Sequence, residues 1–172
     1  AEQMRLFRAS GLTHIEFGTE SFCDRTLEAY GKHFTFGDVV RASRLALDEG
    51  VYYAHFLILG GYGDTRENVR ETIENSRRME YTVMFPYAGM RIYPHTRLAE
   101  LAAKEGAIGR DDDLMAPSYY ISRDFDLEEV RRAALATGKA WVFPDDPQSA
   151  LADTLRLKRN KKGPLWEYLR KP

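Results

Sequence analysis

The fold of this chain is decided by the segment Val51–Gly63, VYYAHFLILGGYG. Its first nine residues are almost continuously apolar and rich in aromatic and β-branched side chains, which is typical of a strand covered on both faces of a parallel sheet. Its glycines then turn the chain, and Asp64, with Glu67 three residues later, predicts a capped helix. The segment therefore predicts a strand, a turn and a helix in direct succession.

The same succession precedes this segment. The stretch Leu12–Phe17 alternates apolar and polar residues, and the polar run Gly18–Ser21 is predicted to end that strand in a turn. Thr35 and Asp38 then predict the start of a long helix that stops before Gly50. A complete βα unit therefore lies on the amino-terminal side.

A third unit follows the segment. We expect its strand at Gly89–Tyr93, because the competing stretch Tyr81–Phe85 runs into Pro86, and we expect its helix from about Thr96 to Lys104. Three consecutive βα units predict parallel strands joined by right-handed crossovers. The expected fold class is therefore α/β, either part of a doubly wound sheet or part of a barrel.

The pattern changes after Gly106. Residues 107–172 are predicted to form a mostly helical extension, with one helix from Leu127 to about Lys139 capped by Asp126 and another over Ser149–Arg159. The first helix, from Ala1 to Ser10, has no capping side chain before it. Together these features predict domains at 1–106 and 107–172 and a chain cut from a longer protein.

Composition narrows the range of partners. The 172 residues include 25 Lys and Arg against 26 Asp and Glu, a formal net charge of -1, so no field draws the chain to nucleic acid or to an anionic membrane. The longest apolar run is far shorter than the roughly 20 residues of a membrane helix. No signal peptide pattern is visible. A soluble cytoplasmic protein that acts on a small molecule is expected.

The candidate reactive side chains do not form a metal site. Cys23 is the only cysteine, and the histidines at positions 14, 33, 55 and 95 lie at no metal-ligand spacing. The glycines after the second strand match neither the dinucleotide fingerprint nor the phosphate loop, so they are interpreted as a tight βα turn. We therefore expect no metal ligands and assign no catalytic residue.

Three motifs occur in a characteristic order. They are IEFGTES at Ile15–Ser21, ILGGYGDT at Ile58–Thr65 and RIYPHT at Arg91–Thr96. Their order and spacing resemble the carboxyl-terminal half of a radical SAM barrel, whose usual wording is Gly-x-Glu-Ser, Gly-Leu-Pro-Gly-Glu-Thr and Tyr-Pro-Gly-Thr. The resemblance covers about residues 1–106, and it implies half of a TIM-like barrel. The segment Pro117–Ser122 is similar to the extensions of cobalamin-associated members.

The resemblance also implies cofactors. A complete enzyme of this superfamily binds a 4Fe-4S cluster through a three-cysteine motif and cleaves S-adenosylmethionine (SAM) reductively to a 5′-deoxyadenosyl radical. That motif is absent here, so the cluster ligands would lie outside this chain, and we expect the chain by itself to be inactive. Cobalamin is a further cofactor that the resemblance suggests.

One wall of the SAM pocket is implied for this chain. By the resemblance, Thr19, Glu20 and Ser21 would face the polar atoms of SAM. Nine residues are carried over in all: Thr19, Glu20, Ser21, Ile58, Gly60, Gly61, Arg91, Ile92 and Tyr93. The resemblance places Ile58, Gly60, Gly61, Ile92 and Tyr93 near adenine and makes Arg91 a partner for a carboxylate.

Two other interpretations stay open at the level of sequence. The chain could be a non-catalytic α/β binding or interaction module whose glycine turns are purely structural. It could also be a self-contained barrel enzyme using Glu20, Asp64 or a histidine, although a closed eight-stranded barrel typically needs about 250 residues. A half barrel would expose strand edges, so self-association is also expected.

Overall fold

A computed structural model describes residues 1–109, 111–144 and 163–172. The α-helices in these ranges are α1 Glu2–Ala9, α2 Asp24–Ala29, α3 Phe36–Asp48, α4 Arg66–Asn75, α5 Arg97–Lys104 and α6 Leu127–Ala136, with short 3₁₀ helices at Ser76–Arg78 and Leu165–Leu169. The strands are β1 His14–Glu20, β2 Tyr52–Leu59, β3 Val83–Ala88, β4 Met90–Ile92, β5 Ser118–Tyr120 and β6 Ala140–Trp141. The helix predicted at Ser149–Arg159 lies outside the described residues.

The main sheet has four parallel strands in the order β1-β2-β3-β6. Helices α2 and α3 connect β1 to β2, and α4 connects β2 to β3. The α/β fold class is therefore confirmed, with successive parallel strands joined by helices. β6, the last strand, comes from the part of the chain beyond residue 106.

The third parallel strand lies at Val83–Ala88, so the prediction that Gly89–Tyr93 fills this place is wrong. Pro86 is tolerated because β6, the strand next to β3 on the side away from β2, is too short to reach it. The carbonyl of Met84 accepts a hydrogen bond from Val142 on the side away from β2, and β6 ends at Trp141. Two residues further along, Pro86 faces the same side, where no ladder partner in the described chain needs its N–H.

Residues 90–92 instead form β4, which pairs antiparallel with β5. This two-stranded ribbon packs against α5 through a small core of Ile92, Ala102, Leu114 and Tyr120. The helix after it begins where the sequence predicts, since the Thr96 side chain accepts a hydrogen bond from the amide of Ala99. The ribbon therefore extends the carboxyl-terminal end of the sheet.

One face of the main sheet is covered by helices, and we call it the helix-covered face. Leu57, Leu59 and Met84 point into it and pack with α3, α4 and α6. α6 is tied to α4 by Glu129, whose carboxylate pairs with Arg66 and, at 2.6 Å, with Arg70. The extension after residue 106 thereby completes the main core.

The opposite face, which we call the open face, presents the alternate residues of the same strands. These are Glu16 and Gly18 on β1, Tyr52, Ala54, Phe56 and Ile58 on β2, and Val83, Phe85 and Tyr87 on β3. The segment 163–172 crosses its amino-terminal half. Trp166 donates from Nε1 to Glu16 Oε1 at 3.0 Å, and Glu167 Oε2 lies 2.6 Å from His14 Nε2. Within the described ranges, this segment leaves open the half nearer the carboxyl ends of the strands.

Two predicted capping arrangements are confirmed and one is wrong. Thr35 and Asp38 form a reciprocal capping box on α3, and Asp126 accepts hydrogen bonds from two amides of α6. The start of α4 is different, because its capping residue is Thr65 rather than Asp64. Asp64 is thus available for another purpose.

Candidate functional site

The polar run after the first strand is itself part of that strand. β1 continues to Glu20, so the first three residues of the turn predicted at Gly18–Ser21 belong to the strand. The register shifts between Gly18 and Glu20, and Glu20 has a left-handed backbone with φ 68°. This β-bulge therefore changes the pairing of β1 with β2 at the polar end of the strand.

Thr19 points to the helix-covered face. Its hydroxyl lies 2.7 Å from Nδ1 of His55, and Nε2 of His55 lies 3.1 Å from the hydroxyl of Ser43. Ser43 donates its own proton to the carbonyl of Val39, so it accepts from His55, and Nδ1 accepts from Thr19. His55 is therefore neutral, and its burial lowers its pKa to about 3.

Ser21 is also used inside the fold. Its hydroxyl lies 2.8 Å from that of Thr72 on α4 and accepts a hydrogen bond from the amide of Cys23. These contacts tie the end of β1 to the helix that follows β2. Thr19 and Ser21, which the resemblance placed against the polar atoms of SAM, thus fix the end of β1 through hydrogen bonds inside the fold.

Glu20 lies on the open face. Its Oε1 is 3.5 Å from the position that a Cβ on Gly18 would take, and it accepts a hydrogen bond of 3.1 Å from Nζ of Lys32. Both side chains of this ion pair are partly exposed. A carboxylate and an ammonium group therefore stand together at the carboxyl end of β1.

The glycine turn after β2 is held by Asp64. One carboxylate oxygen accepts from the amide of Gly60 at 2.9 Å and the other from the hydroxyl of Thr26 at 2.8 Å. Burial raises the pKa of Asp64, and these two hydrogen bonds oppose that rise. The carbonyl of Gly60 accepts from the amide of Ser122, and a Cβ on Gly60 would clash with Phe125. Both backbone groups of Gly60 therefore serve the turn.

Gly61 packs against Tyr30. A Cβ at Gly61 would clash with the Tyr30 hydroxyl, which is buried against the turn. Burial raises the pKa of Tyr30, and the nearby charges of Asp64 and Glu20 raise it further. Tyr30 remains a neutral phenol between the two strand ends.

Three aromatic side chains on the open face were not among the expected site residues. Phe56 stacks on Phe85 with ring centroids 5.0 Å apart and on Tyr87 with centroids 6.1 Å apart. Ile58 lies beside them on the same face of β2. The alternation within Tyr52–Leu59 could have identified Phe56, whereas Phe85 and Tyr87 were missed because their strand was assigned elsewhere.

The third predicted motif lies on the β4–β5 ribbon. Ile92 is buried in the core beneath α5, while Arg91 and Tyr93 are exposed on the other face. The guanidinium of Arg91 lies 4.8 Å from the centroid of the Tyr93 ring. Arg91 and Tyr93 therefore present a cation and an aromatic ring to solvent.

The chain does not fit an iron–sulfur cluster. Its one cysteine, Cys23, is completely buried, and burial raises the pKa of its thiol, which disfavours the thiolate that binds metal. Among the residues that the structure describes, no group of three His, Cys, Asp or Glu side chains could hold a metal ion. Cluster ligands are thus not supplied by the described part of this chain.

The parallel α/β sheet and the motifs at its strand ends together resemble part of a barrel of the radical SAM type. Comparison with solved structures confirms this resemblance. The chain is similar to TsrM, a radical S-adenosylmethionine methyltransferase from Kitasatospora setae, with a TM-score of 0.52 and 26% identity over 59% of this chain and 20% of TsrM. That structure of TsrM contains cobalamin and a [4Fe-4S] cluster.

A second TsrM structure, with tryptophan and the SAM analogue aza-SAM bound, matches over 86% of this chain and 35% of TsrM. Its TM-score is 0.61 at 20% identity, so this match concerns the fold alone. No protein-family model matches the chain.

Two curated proteins are related in sequence. An uncharacterised methyltransferase of Pyrococcus horikoshii is 28% identical over 96 residues, 53% of this chain and 21% of that protein. The anaerobic magnesium-protoporphyrin IX monomethyl ester cyclase of Rubrivivax gelatinosus is 33% identical over 72 residues, 42% of this chain and 13% of the cyclase. The chain thus spans about a fifth or less of the curated relatives it matches.

No helix within residues 1–109, 111–144 and 163–172 is long and apolar enough to cross a membrane.

Proposed function

We propose that this chain is the carboxyl-terminal part of a radical SAM enzyme and that its open face forms one wall of the SAM pocket. The observation that carries the proposal is the position of the Glu20 carboxylate at the carboxyl end of β1, where it pairs with Lys32 and lies 3.5 Å from the Cβ position of Gly18, the open-face neighbour of Phe56. Ligands of parallel α/β folds bind at this end of the sheet. An apolar wall with a charged rim suits a nucleoside joined to a zwitterionic tail.

Within this pocket, Glu20 would accept hydrogen bonds from the hydroxyls or the amine of SAM. Ile58 would pack against adenine, and Gly61 would form the rim with the rest of the glycine turn. Thr19, Ser21 and Gly60 would act indirectly, since their hydrogen bonds fix the two strand ends. On the ribbon, Arg91 would pair with a carboxylate and Tyr93 would cover the ring, while buried Ile92 would anchor them.

The remaining cofactors belong to the whole protein in this proposal. The cluster ligands would come from sequence outside this chain, because a single buried cysteine cannot supply them. Cobalamin is supported by the similarity to TsrM, whose structure holds it, and we assign no residue of this chain to it. SAM bound to such a cluster would supply the radical chemistry, and this chain would bind and orient SAM.

The edge of β1 supports the expectation that further structure packs there. Among the described residues no strand pairs with that edge, and a groove of about 250 Å³ beside it is lined by Phe17, Phe34 and Val39 among others. We propose that the missing βα units cover this edge and that, without them, two copies of the chain associate through it. Sedimentation equilibrium should then show a dimer, and a monomer at all concentrations would contradict the second part.

Calorimetric titration of SAM into the 172-residue chain tests the pocket. We expect binding that Glu20→Gln weakens at least about tenfold, about 1.4 kcal/mol, because a charged acceptor is lost. Glu49→Gln is the matched control, since Glu49 also forms an ion pair, with Arg5 where Glu20 has Lys32, and is similarly exposed, at 26% against 23%. It lies at the opposite end of the sheet. No detectable SAM binding, or equal losses in the two variants, would contradict the proposal.

A further inference from the structure

We propose that Gly18, whose open-face side no other described ring fills, leaves a slot there for a planar heteroaromatic ring that carries an N–H donor. The ring would stack on Phe56 and donate a hydrogen bond to Glu20. This inference rests on the proposed function, because it names the chemistry that one part of the same pocket recognises.

The slot is defined by the register of the sheet. Gly18 pairs with Phe56, and Phe56 pairs with Phe85, so the three residues form one row across the open face. The two phenylalanine rings stack with centroids 5.0 Å apart and planes 22° apart. Because neighbouring strands lie about 4.8 Å apart, each ring stands above its own strand. Gly18 occupies the next place in this row and contributes no ring.

The fold itself does not require glycine at this position. The backbone of Gly18 is not left-handed, and the residue with a positive φ in the bulge is Glu20. Gly18 is exposed, and among the described residues apart from its chain neighbours a Cβ there would meet Oε1 of Glu20 alone, at an ordinary contact distance of 3.5 Å. Glycine inside a strand weakens the strand and often marks the close approach of a ligand.

The chemistry of the slot selects its ligand. One wall is the face of the Phe56 ring, and stacked aromatic pairs have centroids 4.5–7 Å apart, so one planar ring fits within the spacing of one strand. The rim is the carboxylate of Glu20, which only accepts hydrogen bonds, held by Lys32 at 3.1 Å. A flat ring with an amino or ring N–H group can stack on Phe56 and donate a hydrogen bond to Glu20. Such a ring is either the adenine of SAM or part of the substrate.

The test uses 2-aminopurine riboside, whose fluorescence is quenched when its base stacks on an aromatic ring. We expect the 172-residue chain to quench the probe and Gly18→Val to weaken this binding at least tenfold, because the valine side chain fills the slot. Phe56→Leu should weaken it similarly. Gly37→Ala is the matched control, since Gly37 also lacks a left-handed backbone and has one side-chain atom 3.5 Å from its Cβ position.

Melting temperature separates loss of the slot from loss of the fold. Gly18→Val should melt at or above the temperature of the unchanged chain, because valine favours a strand more than glycine does. Loss of binding with the fold retained would support the slot. Absence of quenching by the unchanged chain, or undiminished binding by Gly18→Val, would overturn it.

Competition with SAM then identifies the source of the ring. Displacement of the probe by SAM assigns the slot to adenine, and simultaneous binding assigns it to a substrate ring; both outcomes support the slot. Calorimetric titration with SAM alone tests the proposed function separately. A chain that binds the probe at Gly18 but does not bind SAM would overturn the proposed function and leave the slot standing.

Discussion

The two faces of the main sheet are built from the same strands but treat polar side chains in opposite ways. On the helix-covered face, Thr19 and Ser21 are buried and satisfied by partners within the fold, and His55 is held neutral. On the open face, Glu20 and Lys32 form a partly exposed ion pair beside partly exposed aromatic rings. The comparison teaches that one short polar motif can place side chains both in the core and at a solvent-exposed face, because a strand alternates its side chains.

The largest expected difference between the faces concerns their apolar side chains. Leu57 is completely buried against the helices, so Leu57→Ala should lower the free energy of unfolding by about 2–5 kcal/mol. Ile58, the next residue, lies partly exposed on the open face, and Ile58→Ala should cost less than about 1.5 kcal/mol. Urea unfolding of both variants measures the difference. Equal losses would mean that the open face is packed as tightly as the core.

Glycines give the second contrast. Gly60 has a left-handed backbone with φ 74°, and a Cβ there would clash with Phe125, so Gly60→Ala should destabilise the chain by about 2–3 kcal/mol. At Gly18, among the described residues, a Cβ would meet Oε1 of Glu20 at an ordinary contact distance of 3.5 Å, so Gly18→Ala should raise stability by up to about 1 kcal/mol. Thermal unfolding of the two variants tests the opposite signs. A stability loss in Gly18→Ala would show that this glycine is needed by the fold.

The third contrast is the pH dependence of stability, which we expect to arise from His55 on the helix-covered face. Burial lowers the pKa of His55 from 6.5 to about 3, so between these values the unfolded chain binds a proton that the folded chain does not. Stability therefore falls as pH falls through this window, by about 1.4 kcal/mol per pH unit. From pH 7 to pH 5 the expected loss is about 2 kcal/mol.

Urea unfolding at pH 7 and at pH 5 measures this dependence. His55→Gln provides the comparison, because glutamine does not titrate. The stability that this variant loses between pH 7 and pH 5 should be about 2 kcal/mol smaller than the loss of the unchanged chain. The assignment to His55 would fail if the unchanged chain and His55→Gln lost the same stability on acidification.

The smallest expected effect belongs to the ion pair of the open face. Both of its side chains are partly exposed, so Glu20→Gln should change the free energy of unfolding by no more than about 0.5 kcal/mol. The same variant should weaken SAM binding, as proposed above. Chemical unfolding of this variant would separate the two roles, and a large loss of stability would move Glu20 from recognition to the fold.

Sequence patterns located most of the strands and helices that build the main sheet and its covering layer. The apolar run before Gly60 is β2, and the capped starts of α3, α5 and α6 lie where their polar residues predict them. The third strand was misplaced because Pro86 normally interrupts a ladder, and only the pairing shows that its neighbour β6 has ended by then. Local pattern cannot show the length of a neighbouring strand.

The sequence likewise predicted part of the candidate site and missed the rest. The order of its three motifs predicted the superfamily resemblance and included Glu20 and Ile58, which do lie on the open face. The role of Asp64 was assigned wrongly, since a carboxylate before a helix fits a capping pattern whether or not it turns back to Gly60. The β-bulge between Gly18 and Glu20, which shifts the register of the polar run, has no signature in the sequence.

By itself, the sequence determined the alternation of strands and helices, the glycine turns and the lack of cluster ligands, because periodicity, backbone freedom and a count of cysteines are local properties. Tertiary structure alone decided the row of Gly18, Phe56 and Phe85, the neutral state of His55 and the partner of Asp64. Each of these depends on register and burial, which join residues distant along the chain and are therefore fixed only when the sheet assembles.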